Sequence, residues 1–579
     1  MSTTTSLQWL VVPDEVATEP SRDLVGGKAW SLWRMRSLGL RVPPAFVVTT
    51  EACTAYFAGG HMPEGLDEEL VAGIRFLEQK LGRTFGGSER PLLVSVRSGA
   101  AISMPGMMDT ILDLGCNDTV EAALAAESGD PDFAAEVHRR FTGFYGRLVL
   151  GCTEDLDDLP DTIAVRAAIA EDVDATVPAD PWEQLRAAVA AVFESSRSRR
   201  ALAYRKHYGI PDDLGTAVTI QAMVFGNLDD DSGTGVLFTR NPVDGTREPY
   251  GEYLAKGQGE DVVSGRITPE PLSYLAARWP SVHAELLEAA ECLDREGRDA
   301  QDIEFTVQSG ELFLLQSRPA KRTARAAVRI AVELVDEGVL EPDEALSRVT
   351  ADQIRTLLRP EIAAGAADDT DVLVSGVPAS PGVATGLVVD TPEAAQATPG
   401  SILVRKSTSP DDVHGMIAAS AVITEQGGST SHAAVVSRAL DTPCVVGCGA
   451  GTVTALVGRT VTVDATTGRV YAGELPTSAV DESEEDDLRR LTEWAERAAP
   501  LTVSTTAVLE PVFDADATAI DDLGEKLPDI PAGTKSVRGG IFCAPDGVRA
   551  AMDAGVEEIV TAHRLPVLLA AVAHHRRIS

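Results

Sequence analysis

The stretch around His432 combines residue types that suit a nucleophile at the start of a helix. In QGGSTSHAAVVSRAL, residues 426–440, two glycines and three hydroxyl residues precede His432, and an apolar run follows it. That run predicts a helix with His432 at its N-terminus, where the helix dipole and free backbone N–H groups would stabilise a phosphorylated imidazole. The same field would lower the histidine pKa and keep the ring neutral and nucleophilic at pH 7. A structural histidine in a turn fits the same residues, so both interpretations stay open.

A second candidate site lies in DIEFTVQSGELFLLQSRP, residues 302–319. Asp302 and Glu304 alternate with apolar residues, which predicts a strand with one polar and one apolar face. A three-residue loop, residues 309–311, would close a hairpin. The register expected from that loop pairs Asp302 with Arg318, Glu304 with Gln316, Phe305 with Leu315 and Val307 with Phe313. The polar face could hold Mg²⁺ and polyphosphate, because hard cations take oxygen ligands. The alternative is a solvent-facing hairpin with salt bridges.

Two glycine-rich segments nearer the N-terminus could bind anions. In LVGGKAWSLW, Gly26 and Gly27 precede a predicted helix that begins at Lys28. Backbone N–H groups and one ammonium could hold phosphate there. In LLVSVRSGAAISMPGMMDT, Arg97 ends a strand-like run and could bind an anion through its bidentate fork. The loop after it, residues 103–107, is small enough at its tip to approach phosphate closely. The alternatives are a glycine turn before a solvated lysine and a structural arginine.

Several domains must position these candidates, because 579 residues are too many for one hydrophobic core. Short apolar runs with Gly and Pro favour α/β structure over residues 20–120, helical spacing predominates over residues 120–205, and strand-like runs return over residues 215–320. A helical stretch and a small polar linker separate these from a Val-rich segment around His432.

The composition excludes several classes of partner. A formal net charge of −38 should repel nucleic acid and anionic membranes. Any phosphate site must therefore concentrate Lys, Arg, backbone N–H groups or metal ions. We expect no signal peptide and no membrane span, because neither pattern occurs. The seven cysteines form no zinc pattern, which favours a cytoplasmic protein with reduced thiols.

Five segments together resemble the pyruvate, phosphate dikinase family, which belongs to the PEP-utilising enzymes with PEP synthase and rifampicin phosphotransferase. GGSTSHAAVVSRALDTPCVVG resembles the phosphohistidine signature of these enzymes. Four further segments resemble the dikinase nucleotide domain: VSVRSGAAISMPGMMDTILDLG, MVFGNLDDDSGTGVLFTRNP, YGEYLAKGQGEDVVSG and DIEFTVQSGELFLLQSRPAKRTARAA. The resemblance covers roughly residues 20–475.

In that family an ATP-grasp domain transfers the β-phosphoryl group of ATP to a histidine on a swivelling domain, which carries it to a third site. In the dikinase branch inorganic phosphate takes the γ-phosphoryl group, and the products are AMP and pyrophosphate. The resemblance thus implies an α/β multidomain chain. Its expected parts are an ATP-grasp N-terminal subdomain (1–120), a helical insertion (121–205), an ATP-grasp C-terminal subdomain (206–322), a helical connector and linker (323–371), a swivelling β/α phosphohistidine domain (372–476), and a charged helix with a truncated C-terminal segment of unknown role (477–579). The segments that flank the phosphohistidine domain, residues 321–371 and 481–498, suit a domain that travels, and ordinary connecting helices are the alternative.

The resemblance also implies roles for individual residues. His432 becomes the catalytic phosphocarrier, and Glu304 and Gln316 become Mg²⁺ ligands. The implied ligands of ATP and phosphate are Lys28, Arg97, Gly106, Thr110, Gln221, Asp302 and Arg318, with Gly106 in a loop over the polyphosphate and Gln221 at the adenine edge. Thr430 corresponds to a threonine that regulatory kinases modify in some relatives, or it simply shapes the histidine turn.

The chain departs from the family pattern after the histidine domain. A full dikinase continues into a (β/α)₈ barrel that binds PEP or pyruvate, and a barrel needs at least about 200 residues, whereas about 100 follow Gly473. Cys543 lies in a context unlike that of the catalytic cysteine of the barrel. We therefore expect the acceptor to be pyruvate on a separate barrel protein, or another small molecule. The alternatives are an enzyme that uses water, as PEP synthase does, and a regulatory protein that senses nucleotide without turnover.

Overall fold

The computed structural model describes residues 8–578 except for residues 17, 101–109, 209–210, 212–214, 264–267, 359–360, 364, 368–369, 441, 479–481, 483–484 and 516–528. The chain is a mixed α/β protein built from several units. Among the described residues, none of the helices is both long enough and apolar enough to cross a bilayer. All seven cysteines are free.

The N-terminal unit, residues 8–319, contains two five-stranded sheets. Its strands are β1 (Leu10–Val11), β2 (Ala45–Val48), β3 (Thr84–Phe85), β4 (Pro91–Leu92), β5 (Val94–Gly99), β6 (Thr110–Leu114), β7 (Ala217–Ala222), β8 (Gly233–Phe238), β9 (Tyr250–Ala255), β10 (Glu270–Pro271), β11 (Gln301–Gln308) and β12 (Glu311–Pro319). The first sheet has the order β1-β2-β7-β5-β6 and the second the order β10-β9-β8-β11-β12. Val94 and Val96 are buried in the core of the first sheet, so Arg97 takes the opposite face of β5.

Helices cover the apolar faces of these sheets. They are α1 (Arg22–Ser37), α2 (Thr50–Gly59), α3 (Leu66–Leu81), α4 (Asp118–Ser128), α5 (Pro131–Leu148), α6 (Thr162–Val173), α7 (Pro181–Ser195), α8 (Arg199–Tyr208), α9 (Gly259–Val263), α10 (Leu272–Arg278) and α11 (Pro280–Gly297). The starts of α5 and α7 follow from sequence, because Asp130 and Asp180 each accept backbone N–H bonds of the first turn ahead of a proline.

The β11–β12 hairpin confirms half of the expected register. Asp302 pairs with Arg318 and Glu304 with Gln316, as predicted. The other two pairs were wrong: Phe305 pairs with Leu314 and Val307 with Leu312, because the register shifts after Glu304. The loop has two residues rather than three, since Gln308 pairs with Glu311. Ser309 and Gly310 have φ of 48° and 78°, and positive φ at both loop positions is typical of a type I′ turn.

The His432 unit, residues 361–478, follows three connecting helices. The helices are α12 (Ala324–Asp336), α13 (Pro342–Leu346) and α14 (Ala351–Leu357). The unit contains β13 (Glu361–Ile362), β14 (Val372–Ser375), β15 (Val377–Ser380), β16 (Val383–Val389), α15 (Pro392–Ala397), β17 (Ile402–Arg405), α16 (Val413–Ala418), β18 (Ala421–Thr424), α17 (His432–Ala439), β19 (Cys444–Val446), β20 (Thr460–Asp464), β21 (Arg469–Ala472) and β22 (Thr477–Ser478). Eight strands form one sheet in the order β14-β21-β20-β16-β17-β18-β19-β15, and β13 pairs with β22. Helix α17 connects the parallel neighbours β18 and β19, which puts His432 beyond the carboxyl end of β18.

The C-terminal unit, residues 485–578, forms a small parallel sheet. Its elements are α18 (Asp486–Ala498), β23 (Thr502–Ser504), β24 (Val512–Asp514), β25 (Ser536–Arg538), α19 (Pro545–Asp553), β26 (Glu558–Val560) and α20 (Arg564–Ile578). The strands lie in the order β23-β26-β25-β24, and every pair is parallel. Only the charged helix at the start of this segment was predicted from sequence, and the strands were not.

The connecting helices and the C-terminal unit share one hydrophobic core. Ile330 and Leu334 of α12 are buried in the same cluster as Leu491 of α18 and Leu568 of α20. Arg490 also donates a hydrogen bond of 2.7 Å from Nη1 to Asp336. The helices that flank the His432 unit are therefore packed connecting helices. The chain enters the His432 unit through β13 and leaves it through β22, and these two strands pair with each other.

Replacing Leu491 tests this shared core. Leu491 is fully buried, so Leu491→Ala should lower the free energy of unfolding of this region by about 2–5 kcal/mol. Urea unfolding followed by tryptophan fluorescence measures the change, because Trp494 lies on the same helix. Glu493→Ala is the matched control, since that side chain is exposed. Equal urea midpoints for the two variants would contradict a shared core.

Candidate active site

An arginine joins the two sheets of the N-terminal unit at their polar faces. Arg97 on β5 donates from Nη2 to Oε2 of Glu304 at 2.9 Å and to Oε1 of Gln316 at 3.2 Å. Glu304 and Gln316 lie opposite each other on the hairpin of the second sheet. Charge-assisted bonds of this kind fix both partners. The sheets thus hold three of the predicted site residues in direct contact.

The rest of the hairpin face continues this polar cluster. Arg318 donates from Nε to Oδ2 of Asp302 at 2.8 Å, and its Nη2 lies 3.9 Å from Oε1 of Glu304. Asp302 is buried, and burial raises its pKa above the ordinary value despite the charge of Arg318. Burial also acts to raise the pKa of Glu304, but Arg97, Arg318 and Lys28 together hold it below its ordinary range. Glu304 is therefore an anion at neutral pH.

Lys28 reaches this cluster through a glycine kink. Helix α1 starts earlier than predicted, at Arg22, and Gly26 interrupts it with φ 74° and ψ 163°. A Cβ on Gly26 would lie 1.9 Å from the carbonyl oxygen of Gly99, and the N–H of Gly27 donates to Ala100 at 3.0 Å. Only glycine permits this approach. The kink therefore packs the start of the helix on the end of β5, beside Arg97.

The charge of Lys28 depends on its neighbours. Burial, together with the charges of Arg97 and Arg318, lowers its pKa from 10.5 to about 7, and Glu304 opposes these effects. Lys28 is therefore only partly protonated near neutral pH. An anion bound beside it would favour the ammonium form.

The remaining predicted ligands of ATP and phosphate are Thr110, Gln221 and Gly106. Thr110 on β6 pairs with Arg97. Gln221 is buried on β7 and donates from Nε2 to the carbonyl of Pro43 at 3.2 Å. Gly106 lies outside the described residues. Thr219, which sequence reasoning missed, pairs directly with Arg97, and its buried hydroxyl has no hydrogen-bond partner among the described residues.

His432 is the first residue of α17, as the sequence predicted. Its Nδ1 lies 3.0 Å from the hydroxyl of Thr408, and its Nε2 is buried without a hydrogen-bond partner in the part of the chain that the structure describes. Burial lowers its pKa to about 4, against a smaller opposing effect of Asp412. The imidazole is therefore neutral at pH 7. With its proton on Nδ1 and donated to Thr408, the lone pair of Nε2 is available to a reacting group.

The loop before His432 contacts the second sheet. Glu252 on β9 accepts hydrogen bonds at Oε1 from the N–H of Ser429 at 3.1 Å and from its hydroxyl at 2.8 Å, and at Oε2 from the hydroxyl of Thr430. Ala100, which follows β5, packs on the core of the His432 unit. The histidine loop is therefore in contact with the sheet that carries Glu304 and Gln316. Sequence reasoning found neither Thr408 nor Glu252, because no local pattern connects either to His432.

Two family models and several known proteins match the chain. The family model described as pyruvate phosphate dikinase, AMP/ATP-binding domain, matches residues 22–72 and 57–285. The model described as PEP-utilising enzyme, mobile domain, matches residues 397–468. The pyruvate, phosphate dikinase of Rhizobium meliloti (strain 1021) is 43% identical over 539 residues, and that of Clostridium symbiosum is 41% identical over 527; each alignment covers 84% of this chain. The chain is a relative of the pyruvate, phosphate dikinases.

The chain matches only part of the length of each dikinase. The chain spans 60% of the length of the two bacterial dikinases, and 55% of a chloroplastic dikinase of Zea mays that is 42% identical. The AMP/ATP-binding model contains Lys28, Arg97 and Glu252 but ends before the β11–β12 hairpin, and the mobile-domain model contains His432. A crystal structure of Thermococcus kodakaraensis aconitase X covers 17% of the chain at 20% identity, and its TM-score of 0.14 supports no conclusion.

The lowered pKa of Lys28 predicts proton uptake when a nucleotide polyphosphate binds. Free Lys28 loses its proton as the pH rises through about 7, and a bound polyphosphate should shift that loss to higher pH. ATP binding at pH 8 should therefore take up a proton, and ATP affinity should fall as the pH rises above 7.

Calorimetry in two buffers of different ionisation enthalpy measures the uptake. It should be larger at pH 8 than at pH 6, where Lys28 is already charged, and Lys28→Met should lose the difference. Equal uptake at pH 8 by wild type and Lys28→Met would contradict the assignment.

Proposed function

We propose that the chain is a dikinase-type phosphotransferase that phosphorylates its own His432. ATP and inorganic phosphate would be the substrates of this loading step. Nε2 of His432 bonds to the β-phosphorus of ATP as the bond from that phosphorus to AMP breaks. Phosphate takes the γ-phosphoryl group as pyrophosphate. The products are AMP, pyrophosphate and the phosphohistidine, so every phosphoryl group of ATP is accounted for.

One observation supports this proposal above the others. The loop that presents His432 is bonded to the sheet that holds Glu304, Gln316 and Arg318. A buried Nε2 that has no hydrogen-bond partner among the described residues is unusual for a histidine with a purely structural role. The naming of the curated relatives points to phosphate, rather than water, as the acceptor of the γ-phosphoryl group.

The two-sheet architecture supports an ATP-grasp nucleotide domain. Two antiparallel sheets enclose the polar cluster from opposite sides, with α1 delivering Lys28 from a glycine kink. We infer the domain division expected from sequence: residues 1–120 and 206–322 for the two subdomains, 121–205 for the insertion and 372–476 for the swivelling phosphohistidine domain.

The donor set of the hairpin fits Mg²⁺. No cluster of three or more His, Cys, Asp or Glu side chains suited to a metal occurs within the described residues. Glu304 and Gln316 nevertheless present adjacent oxygens, and Oδ1 of buried Asp302 has no hydrogen-bond partner there. Mg²⁺ is commonly bound by one or two protein oxygens together with substrate phosphates. When bound, it would neutralise charge on the polyphosphate, with Glu304 and Gln316 as its protein ligands.

The side chains of the cluster have distinct tasks in this proposal. Lys28, Arg97 and Arg318 bind phosphate oxygens and stabilise the charge that moves during transfer. The neutral imidazole of His432 supplies the nucleophile, and Thr408 holds the ring so that Nε2 faces the reacting phosphorus. The buried interface excludes water, which would otherwise compete for the phosphoryl group.

The final acceptor of the phosphoryl group is a separate question, because the chain spans only 60% of the length of the two bacterial dikinases. Pyruvate, bound by a separate barrel protein, is the first candidate, because the curated relatives are named for it. Another small acceptor is the alternative. The C-terminal unit contains a four-stranded parallel sheet, and none of its described residues is bonded to Arg97, Glu304 or Arg318.

Isotope transfer tests the loading step. Wild type incubated with Mg²⁺, phosphate and ATP labelled at the β-phosphorus should form AMP and an acid-labile phosphoprotein, and His432→Ala should form no phosphoprotein. His414→Ala is a control, because His414 lies in the same unit on α16 and should label normally. ADP as the sole nucleotide product, or equal labelling of His432→Ala, would exclude the proposal.

Replacing Thr408 tests the orientation of the imidazole. Thr408→Val keeps the shape but removes the hydroxyl at 3.0 Å from Nδ1. Loss of one hydrogen bond should slow labelling of His432 by about three- to tenfold. Thr408→Ser keeps the hydroxyl and should label at close to the wild-type rate. A Thr408→Val enzyme as fast as wild type would show that the contact has no part in the transfer.

A further inference from the structure

Glu252 makes a contact that the loading chemistry does not explain. Its carboxylate binds no lysine or arginine in the described part of the chain and instead accepts three hydrogen bonds from Ser429 and Thr430. Both partners are almost completely buried. Because both oxygens are used and all donors lie within three residues of His432, the carboxylate fixes the orientation of the loop as well as its position.

The loop is shaped to let this carboxylate approach. A Cβ on Gly428 would lie 2.6 Å from Oε1 of Glu252, a distance that real Cβ contacts do not reach. On the other side of the loop, Nη1 of Arg438 donates to the carbonyl of Ser429 at 2.9 Å and to that of Ala379 at 3.0 Å. The loop is therefore held from within its own unit by Arg438 and from the second sheet by Glu252.

Arg438 also touches the same sheet as Glu252. Its guanidinium carbon lies 5.7 Å from the ring centroid of Phe238, and Phe238 on β8 is a neighbour of β9. Two adjacent strands of the second sheet thus meet the histidine loop, one through a carboxylate and one through an aromatic ring. The interaction is specific in geometry and depends little on net charge, since the groups that Glu252 binds are neutral donors.

The geometry points to Glu252 as the positioning residue that seats the histidine loop at the nucleotide site for loading. This role rests on the proposed function, because it concerns the phosphorylation of His432. Glu252 acts through Ser429 and Thr430 rather than on a reacting atom. It should therefore set the rate of loading without setting the affinity for ATP.

Single-turnover labelling of His432 and equilibrium binding of ATP separate these two effects. Glu252→Ala should slow labelling at least about tenfold, the effect of losing roughly one charge-assisted bond, while the Kd for ATP stays within about twofold. Glu252→Gln should fall between wild type and Glu252→Ala, since one amide oxygen can still accept from Ser429. Glu270→Ala is the matched control, because Glu270 is an exposed carboxylate on the neighbouring strand β10.

Gly428→Ala tests the same contact from the loop side. It should slow labelling in the wild-type background, where the added methyl meets the carboxylate of Glu252. In the Glu252→Ala background it should have little further effect, because the group it meets is gone. Multiplicative effects of the two substitutions would show that they act independently and would overturn the proposal.

Two further outcomes would also overturn it. A Kd for ATP that weakens in step with labelling would make Glu252 a nucleotide ligand, and unchanged labelling by Glu252→Ala would make the contact incidental. Hydrogen exchange separates the contact from the chemistry: the Ser429 amide should exchange faster in Glu252→Ala than in wild type and Glu270→Ala. If wild type acquires no phosphate, the proposed function fails while this exchange result still decides whether Glu252 holds the loop.

Discussion

The bond of Arg97 to Glu304 and Gln316 is the interaction on which the site depends. It crosses between two sheets whose apolar faces belong to different cores. Buried charges are costly unless they are paired, so this bond fixes the spacing of the sheets at the point where an anion would bind. The consequences reach Lys28, whose pKa falls because the side chain is buried and because Arg97 and Arg318 lie near it, and Asp302, which Arg318 keeps in place.

The second constraint is the position of His432, which lies in a different unit of the chain from this cluster. The connecting helices and the C-terminal unit share one core, and the strands β13 and β22, through which the chain enters and leaves the His432 unit, pair with each other. The loop before His432 is then seated by Glu252, and Thr408 orients the ring. The His432 unit is thus held at two places, at the paired strands β13 and β22 and at the loop before His432.

Residues close in sequence were the ones whose structure the sequence predicted best. The polar face of the hairpin and the pairs Asp302–Arg318 and Glu304–Gln316 follow from strand alternation, and the helix at His432 follows from its apolar run. The bulge after Glu304 did not, because residues 312–315 are all apolar, so either register places an apolar residue opposite Phe305 and Val307. Glu252 and Thr408 lie 177 and 24 residues from their partners, and no periodicity encodes contacts at that range. The C-terminal sheet was missed because its strands are only three residues long, too short to show alternation.

The charge of the chain explains why the site uses both cations and oxygen ligands. The chain has a formal net charge of −38, so a polyphosphate approaches against an unfavourable field. Lys28, Arg97 and Arg318 face Asp302 and Glu304, which leaves at most one excess positive charge, and Lys28 is only partly protonated near pH 7. One charge cannot balance a polyphosphate that carries several. The two carboxylates would be a liability if phosphate were their only partner, since they would repel it. They become useful if a divalent cation lies between them and the phosphate oxygens, because the carboxylates and the phosphate then both attract the cation. The acidic residues of the hairpin therefore favour a metal-dependent nucleotide site over a simple anion pocket.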